Sequence, residues 1–460
     1  MKFLWNGKRY NELTCYLLNK YIKRFLYIYA LCELKNFIVN NIMTSYQPDS
    51  VVDIQHNLLD NFNKLRVTSS TTILDVRHTG GAKNSIYEVE KSTAHASATY
   101  SSVTGPSTVL TLTSAVNTNY VTRQTREYIT FQQGKPIITF ITANMNPTSN
   151  NATNSVGQIG YFDNEDGIYF QHEGDGSDGS MSVGIRFGAS DTHVAQNDWN
   201  IDPMDGTGPS ALSVNFDKIQ TYTMEMSWDN IIRMGILISG KMIAVHEFHD
   251  QTTHLLTANP NLPVRYSLSA TGSVSSATLR HYSTFVSSDA GYEPIGRMYA
   301  VNNVASPVKI NSTVEKPIFI MRHGDFDLHK GKIKPVMLDI INTSPSHIIY
   351  RIYKYRSPGS IPVRGITDSS FTTGEGTLAK YAFGGSFIDG DFDDTRILLY
   401  QGIFTELANF DFDKYYKNNS VSTLSGDLSS NSDYLVVSCQ LTSGCAAKSI
   451  IVMASWIEYV

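Results

Sequence analysis

Acidic side chains crowd two short turns near the middle of this chain. The stretch IGYFDNEDGIYFQHEGDGSDGS, residues 159–180, contains six Asp or Glu residues, and Asp163, Glu165 and Asp166 fall within four positions. Carboxylate oxygens are preferred ligands of Ca²⁺, so these three residues are a candidate site for a structural calcium ion. An EF-hand loop is excluded, because it needs Gly at its sixth position and the loop that starts at Asp163 has Gly at its fifth. The alternative is a plain Asp-Gly turn between two strands.

Paired carboxylates are also the groups that hydrolyse glycosidic bonds, one as the acid and the other as base or nucleophile. The candidates for such a pair are Asp163, Asp166, Glu225 and Glu247. Glu225 and Glu247 alternate with apolar neighbours, which indicates that they face solvent or another subunit. The segment HEFHD at 246–250 lacks the His spacing of the zinc motif HExxH, and no GxSxG elbow occurs. We therefore predict that the chain is not an enzyme and has no catalytic residues.

Aromatic residues beside polar loops indicate a different kind of site. Tyr169 follows the first acidic turn, and Trp199 opens the Pro- and Gly-containing loop WNIDPMDGTGPSAL. Loops of this composition bind sugars through hydrogen bonds and through stacking of an aromatic ring on the sugar. Tyr169 and Trp199 are therefore the candidate residues of a glycan-binding site, as the alternative to a purely structural role.

The elements that position these residues are predicted to be strands. From about residue 64, apolar and polar residues alternate with period two between Gly- and Asn-rich turns, as in SMSVGIRFG at 180–188. Helical spacing is largely confined to residues 52–64, and no βαβ rhythm follows it. The predicted fold class is mainly β, with two antiparallel, jelly-roll-like β-sandwiches and a short helical N-terminal segment.

A chain of 460 residues is long enough for two large domains. The segment NVASPVKINSTVEK separates two β-rich regions. The predicted domains are a basic, helical N-terminal segment at 1–63, a lectin-like β-sandwich at 64–303 and a second β-sandwich at 304–460. Residues 1–42 contain seven Lys or Arg and two Glu. Either they form an amphipathic helix, or translation begins at Met43 and they are not part of the protein.

Composition and charge narrow the choice of partners. The net charge is −5, and beyond the N-terminus no basic stripe alternates with aromatic residues, which argues against nucleic acid. The apolar run FLYIYALC at 25–32 is too short to span a bilayer. Cys439 and Cys445 either bridge a hairpin or stay as buried thiols, and a reducing compartment favours thiols. No cofactor is predicted apart from the calcium ion.

Six stretches are distinctive as an ordered series. They are RVTSS (66–70), YVTRQTREYITFQQGKP (120–136), IGYFDNEDGIYFQHEG (159–174), VAQNDWNIDPMDGTGPS (194–210), GILISGKMIAVHEFHD (235–250) and PNLPVRYSLSATG (260–272). Taken in order, they resemble a family of β-rich virion structural proteins of tailed phages and large DNA viruses. The resemblance implies a capsid-associated, fibre or tail protein of the virion, assembled as a homo-oligomer with other virion proteins and without catalytic residues. A host surface glycan would be its partner if it serves attachment.

Overall fold

The structure is a computed structural model. It describes residues 3–5, 8–10, 70–79, 88–145, 153–174, 179–227, 231–249, 256–289, 291–324, 331–374, 376–387, 395–416, 422–429, 431–443 and 446–459.

The first half of the described chain consists almost entirely of strands. Two short ones, β1 (Phe3–Trp5) and β2 (Lys8–Tyr10), pair with each other as a hairpin. The others are β3 (Thr71–Arg77), β4 (Glu88–Ser92), β5 (Ala96–Ser101), β6 (Ser107–Ala115), β7 (Tyr120–Thr125), β8 (Ile137–Asn144), β9 (Ser155–Phe162), β10 (Gly167–Glu173), β11 (Ser180–Phe187), β12 (Ser190–Ala195), β13 (Gln220–Ser227), β14 (Ile231–Ile238), β15 (Lys241–His249), β16 (Val264–Ala270) and β17 (Val274–Ser288), with a 3-10 helix at Gln196–Asp198.

These strands form two antiparallel sheets that pack face to face. The seven-stranded sheet has the order β12-β11-β10-β9-β16-β7-β4, and the eight-stranded sheet has the order β15-β14-β13-β8-β17-β6-β5, with β3 added beside β17. One hydrophobic core lies between them, because apolar side chains alternate with polar ones along the strands of both sheets. Phe170 of β10 and Tyr222 of β13 meet across this core with ring centroids 4.9 Å apart.

The second half of the chain is also built of strands. They are β18 (Arg297–Asn302), β19 (Val308–Ile310), β20 (Lys316–His323), β21 (Lys332–Asn342), β22 (Ile348–Tyr355), β23 (Val363–Arg364), β24 (Thr372–Thr373), β25 (Ala379–Phe383), β26 (Ser386–Phe387), β27 (Arg396–Phe404), β28 (Leu407–Asp411), β29 (Tyr434–Leu441) and β30 (Lys448–Tyr459). A 3-10 helix spans Asp368–Ser370, and the helix α1 spans Phe412–Tyr416.

A second sandwich results from the pairing of these strands. Its sheets have the orders β18-β30-β21-β28, with β19 beside β30, and β24-β25-β20-β29-β22-β27. A separate core that includes Trp456 and Phe410 lies between them. The predicted class, mainly β with two antiparallel β-sandwiches, is thus confirmed.

Some details differ from the predictions. The predicted boundary at 303/304 is too late, because β18 already pairs with β30 of the second sandwich. At the N-terminus, where a helix was predicted, β1 and β2 form a hairpin; the predicted helix at 52–64 lies outside the described residues.

Cys439 is a buried free thiol, and Cys445 lies outside the described part. No helix within the described ranges is long and apolar enough to cross a membrane.

Buried and half-buried charges join the two sandwiches. Asp433 of the second sandwich lies 3.4 Å from Nη1 of Arg126 of the first, and 3.0 Å from Nζ of Lys354. Lys332 reaches back to Glu127 at 3.0 Å. Breaking a buried charge pair leaves a charge without its partner, so these contacts hold the sandwiches in one arrangement.

Candidate functional site

A groove of about 410 Å³ lies on the outer face of the seven-stranded sheet, away from the core. Most of its lining side chains carry a hydroxyl, an amide or a positive charge. The lining residues are Lys91, Tyr120, Thr122, Gln158, Phe162, Asn164, Arg186, Arg265, Ser267, Ser269 and Leu428.

Strand alternation explains why this face is polar. Along β16, Tyr266 and Leu268 point into the core, so Arg265, Ser267 and Ser269 take the opposite face. The same rule applies to the neighbouring strands that line the groove. The two-residue period therefore sorts each strand into one core side and one groove side.

Strand register brings distant residues into rows across the groove. Lys91 of β4 pairs with Thr122 of β7, Thr122 with Ser267 of β16, and Ser267 with Gln158 of β9. Adjacent strands lie roughly 4.8 Å apart, so this row forms a continuous polar floor. The next row along the strands contains Arg265.

Arg265 is the most buried charge of the groove, with 5% of its surface exposed. Nε and Nη2 donate to the same amide oxygen of Gln124 at 2.9 and 2.6 Å, and Nη1 donates to Oδ1 of Asn164 at 2.5 Å. Burial lowers the pKa of the guanidinium, and the nearby Tyr128 and Asp163 offset only part of this effect. The hydrogen bonds that hold the group in place all go to neutral amide oxygens.

Arg186 has a different environment. Its Nε lies 2.7 Å from Oδ1 of Asp191, and its Nη1 donates to the carbonyl of Asp163 at 2.6 Å. Burial alone would lower the pKa of Arg186, but the hydrogen bond and charge of Asp191 raise it overall. The guanidinium carbons of Arg186 and Arg265 lie 5.6 and 5.5 Å from the centroid of the Phe162 ring, within the range of cation–π attraction.

The second sandwich also contributes to the groove. Nζ of Lys91 donates to the carbonyl of Leu428 at 3.2 Å, and Leu428 lines the groove. The site is thus complete only when the two sandwiches are docked.

The acidic turn at the edge of the groove is held by hydrogen bonds from its own backbone and from a neighbouring loop. Oδ1 of Asp163 accepts the backbone N–H groups of Glu165 and Asp166 at 2.8 and 2.9 Å. Oδ1 of Asp166 accepts the N–H of Ala258 at 2.7 Å, and Glu165 is exposed. The carboxylates of Asp163 and Asp166 therefore anchor backbone, and a calcium ion at Asp163, Glu165 and Asp166 stays a prediction.

The two aromatic residues predicted to bind a glycan are both buried. Tyr169 is fully buried, and its hydroxyl is 2.8 Å from both Asp191 and His193. Trp199 is 5% exposed, and its Nε1 donates to the carbonyl of Val194. A ring can stack on a sugar only when one face is exposed, so neither residue can act in that role as placed. The partly exposed aromatic residue of the groove is Tyr120.

The other two candidate acids lie on the opposite sheet. Glu225 of β13 and Glu247 of β15 flank Arg233, at 3.8 and 2.9 Å. The fold therefore does not bring them together with Asp163 and Asp166 at one cleft. His246, in the same segment, is buried, and its Nδ1 accepts the N–H of Asn200 at 3.2 Å.

A buried polar cluster in the first sandwich was not predicted from the sequence. His78, Glu88 and His281 form the only group within the described ranges whose metal-ligand atoms all lie within 4.8 Å of one another. Glu88 is already bound by Arg123 at 2.7 Å, and Nε2 of His78 lies 2.9 Å from Nδ1 of His281. Because a guanidinium occupies the carboxylate, these contacts describe a satisfied hydrogen-bond network. No local motif could have revealed it, since its residues come from four separate segments.

Comparisons with known proteins do not assign the chain to a family. No family model and no curated protein matches the chain. Solved structures match about half of it. One is an endo-1,3-β-glucanase from Streptomyces sioyaensis, with 10% identity and a TM-score of 0.32 over 48% of this chain and 96% of that one. Another is a legume lectin-like domain from Entamoeba histolytica, with 10% identity and a TM-score of 0.28 over 47% of this chain and 98% of that one. A third is a glycosyl hydrolase family 16 protein from Mycobacterium smegmatis, with 10% identity and a TM-score of 0.29 over 47% of this chain and 100% of that one.

At these TM-scores the matches assign no activity to this chain. Two of them are nevertheless glycoside hydrolases, and this finding contradicts the prediction that the chain is not an enzyme.

Proposed function

We propose that the chain binds a saccharide in the groove of the seven-stranded sheet. The observation that carries the proposal is the lining itself. Five of the lining residues offer hydroxyl or amide groups on adjacent strands: Tyr120, Thr122, Gln158, Ser267 and Ser269. Such groups are donors and acceptors at once, which suits the hydroxyls of a sugar. The ring of Tyr120 adds a partly exposed surface on which a sugar can stack.

The shape of the site supports the same proposal. A groove of about 410 Å³ falls within the usual size of small-ligand sites, ~300–1,000 Å³. Its floor is formed by strands rather than by long loops, so the polar groups are already in place before a ligand arrives. A site of this kind loses little conformational entropy on binding.

A glycan array with the full-length chain tests this proposal, followed by calorimetric titration of each saccharide that binds. We expect Tyr120→Ala to weaken binding about tenfold. Tyr100→Ala is the matched control, because Tyr100 is a partly exposed tyrosine on β5 of the other sheet. Absence of binding to every glycan, or equal affinity of the two variants, would overturn the proposal. Release of reducing ends in the same mixtures would reveal hydrolysis of the bound saccharide.

The role as a virion structural protein and homo-oligomer is a second proposal. It is supported by the ordered series of stretches that resemble virion proteins, and it is compatible with saccharide binding during attachment to a host. Mass spectrometry of purified particles tests the first part, and light scattering of the purified chain tests the second. A monomer that is absent from particles would remove this role.

A further inference from the structure

The charges that line the groove are not balanced. Three cations line it, Lys91, Arg186 and Arg265, and no Asp or Glu is among the lining residues. Arg186 is neutralised by Asp191. The other two have no carboxylate within 4.0 Å of their side-chain nitrogens among the residues that the structure describes, so their charges act on whatever occupies the groove.

Arg265 keeps unused donor capacity. A guanidinium has five N–H groups, and the hydrogen bonds to Gln124 and Asn164 use one on each nitrogen. One N–H on each terminal nitrogen therefore has no acceptor within the described part of the chain. Two N–H groups on neighbouring nitrogens can bind the two oxygens of a carboxylate or a sulfate.

The burial of the Arg265 guanidinium indicates why its lack of a directly bound carboxylate matters. Removing a charge from water without an opposite charge is unfavourable, and such charges are normally paired. Arg265 is 5% exposed and is bound only by neutral amide oxygens. Asp163 acts on Arg265 only from beyond ion-pair distance, so a ligand anion would supply a counter-charge in direct contact, which gives a physical reason for placing an arginine there.

Lys91 adds a second, more accessible charge at the end of the same polar floor. It is exposed, and its ammonium is turned toward the groove by the carbonyl of Leu428 at 3.2 Å. Because β7 lies between β4 and β16, Lys91 and Arg265 stand two strands apart, roughly 10 Å along the sheet. This spacing lets one extended ligand reach both.

We propose that the groove selects an anionic saccharide, one that carries carboxylate or sulfate groups, and that Arg265 and Lys91 supply its charge recognition. This inference rests on the proposed saccharide binding and adds the class of ligand. Arg265 would bind one anionic group directly, and Lys91 would attract a second.

Three polymers with the same neutral backbone provide the test: dextran, carboxymethyl-dextran and dextran sulfate of equal length, titrated into the full-length chain. We expect each charged polymer to bind at least tenfold more tightly than dextran at low salt, and the difference to shrink as salt rises. The carboxymethyl and sulfate arms distinguish the two kinds of anion.

Variants separate groove recognition from general attraction. Lys91→Gln should reduce affinity for a charged dextran about fivefold, while Lys241→Gln, at an exposed lysine of β15 on the other sheet, should leave it unchanged. Arg265→Gln should reduce it more than tenfold, with thermal unfolding used to confirm that this variant is folded. If Arg265→Gln is not folded, Lys91→Gln alone decides.

Three outcomes overturn the inference. The first is equal affinity for dextran and its charged forms, and the second is no binding of the charged forms. The third is the same loss in Lys91→Gln and Lys241→Gln, which would show attraction outside the groove. The glycan array and Tyr120→Ala judge saccharide binding separately, so a groove that binds neutral sugars would retain the proposed function while losing this inference.

Discussion

Two nitrogens of the Arg265 guanidinium donate to one neutral atom, the amide oxygen of Gln124, which accepts hydrogen bonds from Nε at 2.9 Å and from Nη2 at 2.6 Å. A carboxylate at position 124 would have the same shape and would complete an ion pair. The choice of an amide leaves the positive charge available to the groove.

Gln124→Glu tests whether the charge of Arg265 is kept for a ligand. The new carboxylate should pair with Arg265, lower affinity for dextran sulfate at least tenfold and leave the free energy of unfolding unchanged or higher. Titration and urea unfolding measure these effects. The control is Gln401→Glu, because Gln401 accepts Nε of Arg351 at 2.6 Å in the second sandwich, away from the groove. Unchanged affinity in Gln124→Glu would show that the charge of Arg265 is not used.

Gly160 of β9 is required by close packing against β10. A Cβ atom there would lie 2.2 Å from the carbonyl oxygen of Ile168 and 2.6 Å from Cα of Tyr169. Backbone cannot move aside as a flexible side chain can, so Gly160→Ala should lower the free energy of unfolding by about 3 kcal/mol. Gly157→Ala on the same strand is the control, because its nearest neighbour is Cδ1 of Leu279 at 3.2 Å. Equal effects in urea unfolding would contradict this account.

Asp433 is the centre of the contact between the sandwiches. Burial would raise the pKa of its carboxyl, but the charges of Lys354 and Arg126 lower it overall. Asp433→Asn removes the carboxylate that both cations face and should lower the free energy of unfolding by about 3–5 kcal/mol. Calorimetry should then show two separated unfolding transitions. Asp368→Asn, which removes an ion pair of an exposed carboxylate with Arg322, should have little effect. A single, unshifted transition in Asp433→Asn would contradict the prediction.

The His78–His281 hydrogen bond predicts that stability falls at acid pH. One ring must accept the proton of the other, and burial lowers the pKa of His78 from 6.5 to about 4 and that of His281 well below its usual value. The folded state then binds fewer protons than the unfolded state, so the stabilisation is present above pH 6.5 and is lost as pH falls toward 4.

Urea unfolding of the wild type at pH 7.5, 6 and 5 measures this loss. His78→Gln should have a smaller dependence on pH between 6.5 and 4, because one of the two groups that take up protons on unfolding is gone. His347→Gln is the control, because His347 is an exposed histidine of the second sandwich. The same pH dependence in all three proteins would show that the buried pair is not its source.

Much of the fold could be predicted from local pattern. The two-residue alternation in SMSVGIRFG corresponds to β11, and Ser239 and Gly240 form the predicted turn between β14 and β15, both with positive φ. The turn from Asp163 to Gly167 was also recognisable, since Asp binds backbone amides and Gly adopts a φ of +133°. These features depend on residues that are close in sequence.

The binding residues could not be predicted in the same way. Tyr169 and Trp199 were chosen for their residue types, but burial depends on what packs over a side chain. Tyr169 lies on the outer face of its strand and is still covered, because Asp191 and His193 of β12 reach its hydroxyl. Arg265 and Ser267, in contrast, look like ordinary polar positions of a strand.

That this chain forms strands and tight turns follows from its local pattern, because alternation and turn chemistry act over a few residues. Folding of the whole chain brings Lys91, Thr122, Ser267 and Gln158 into one row, with Arg265 beside it and no carboxylate of the described residues within 4.0 Å of its guanidinium. Local pattern does not reach this far, because strand order and register are set by the packing of whole sheets. Residues more than a hundred positions apart become neighbours only when both sheets close over their common core.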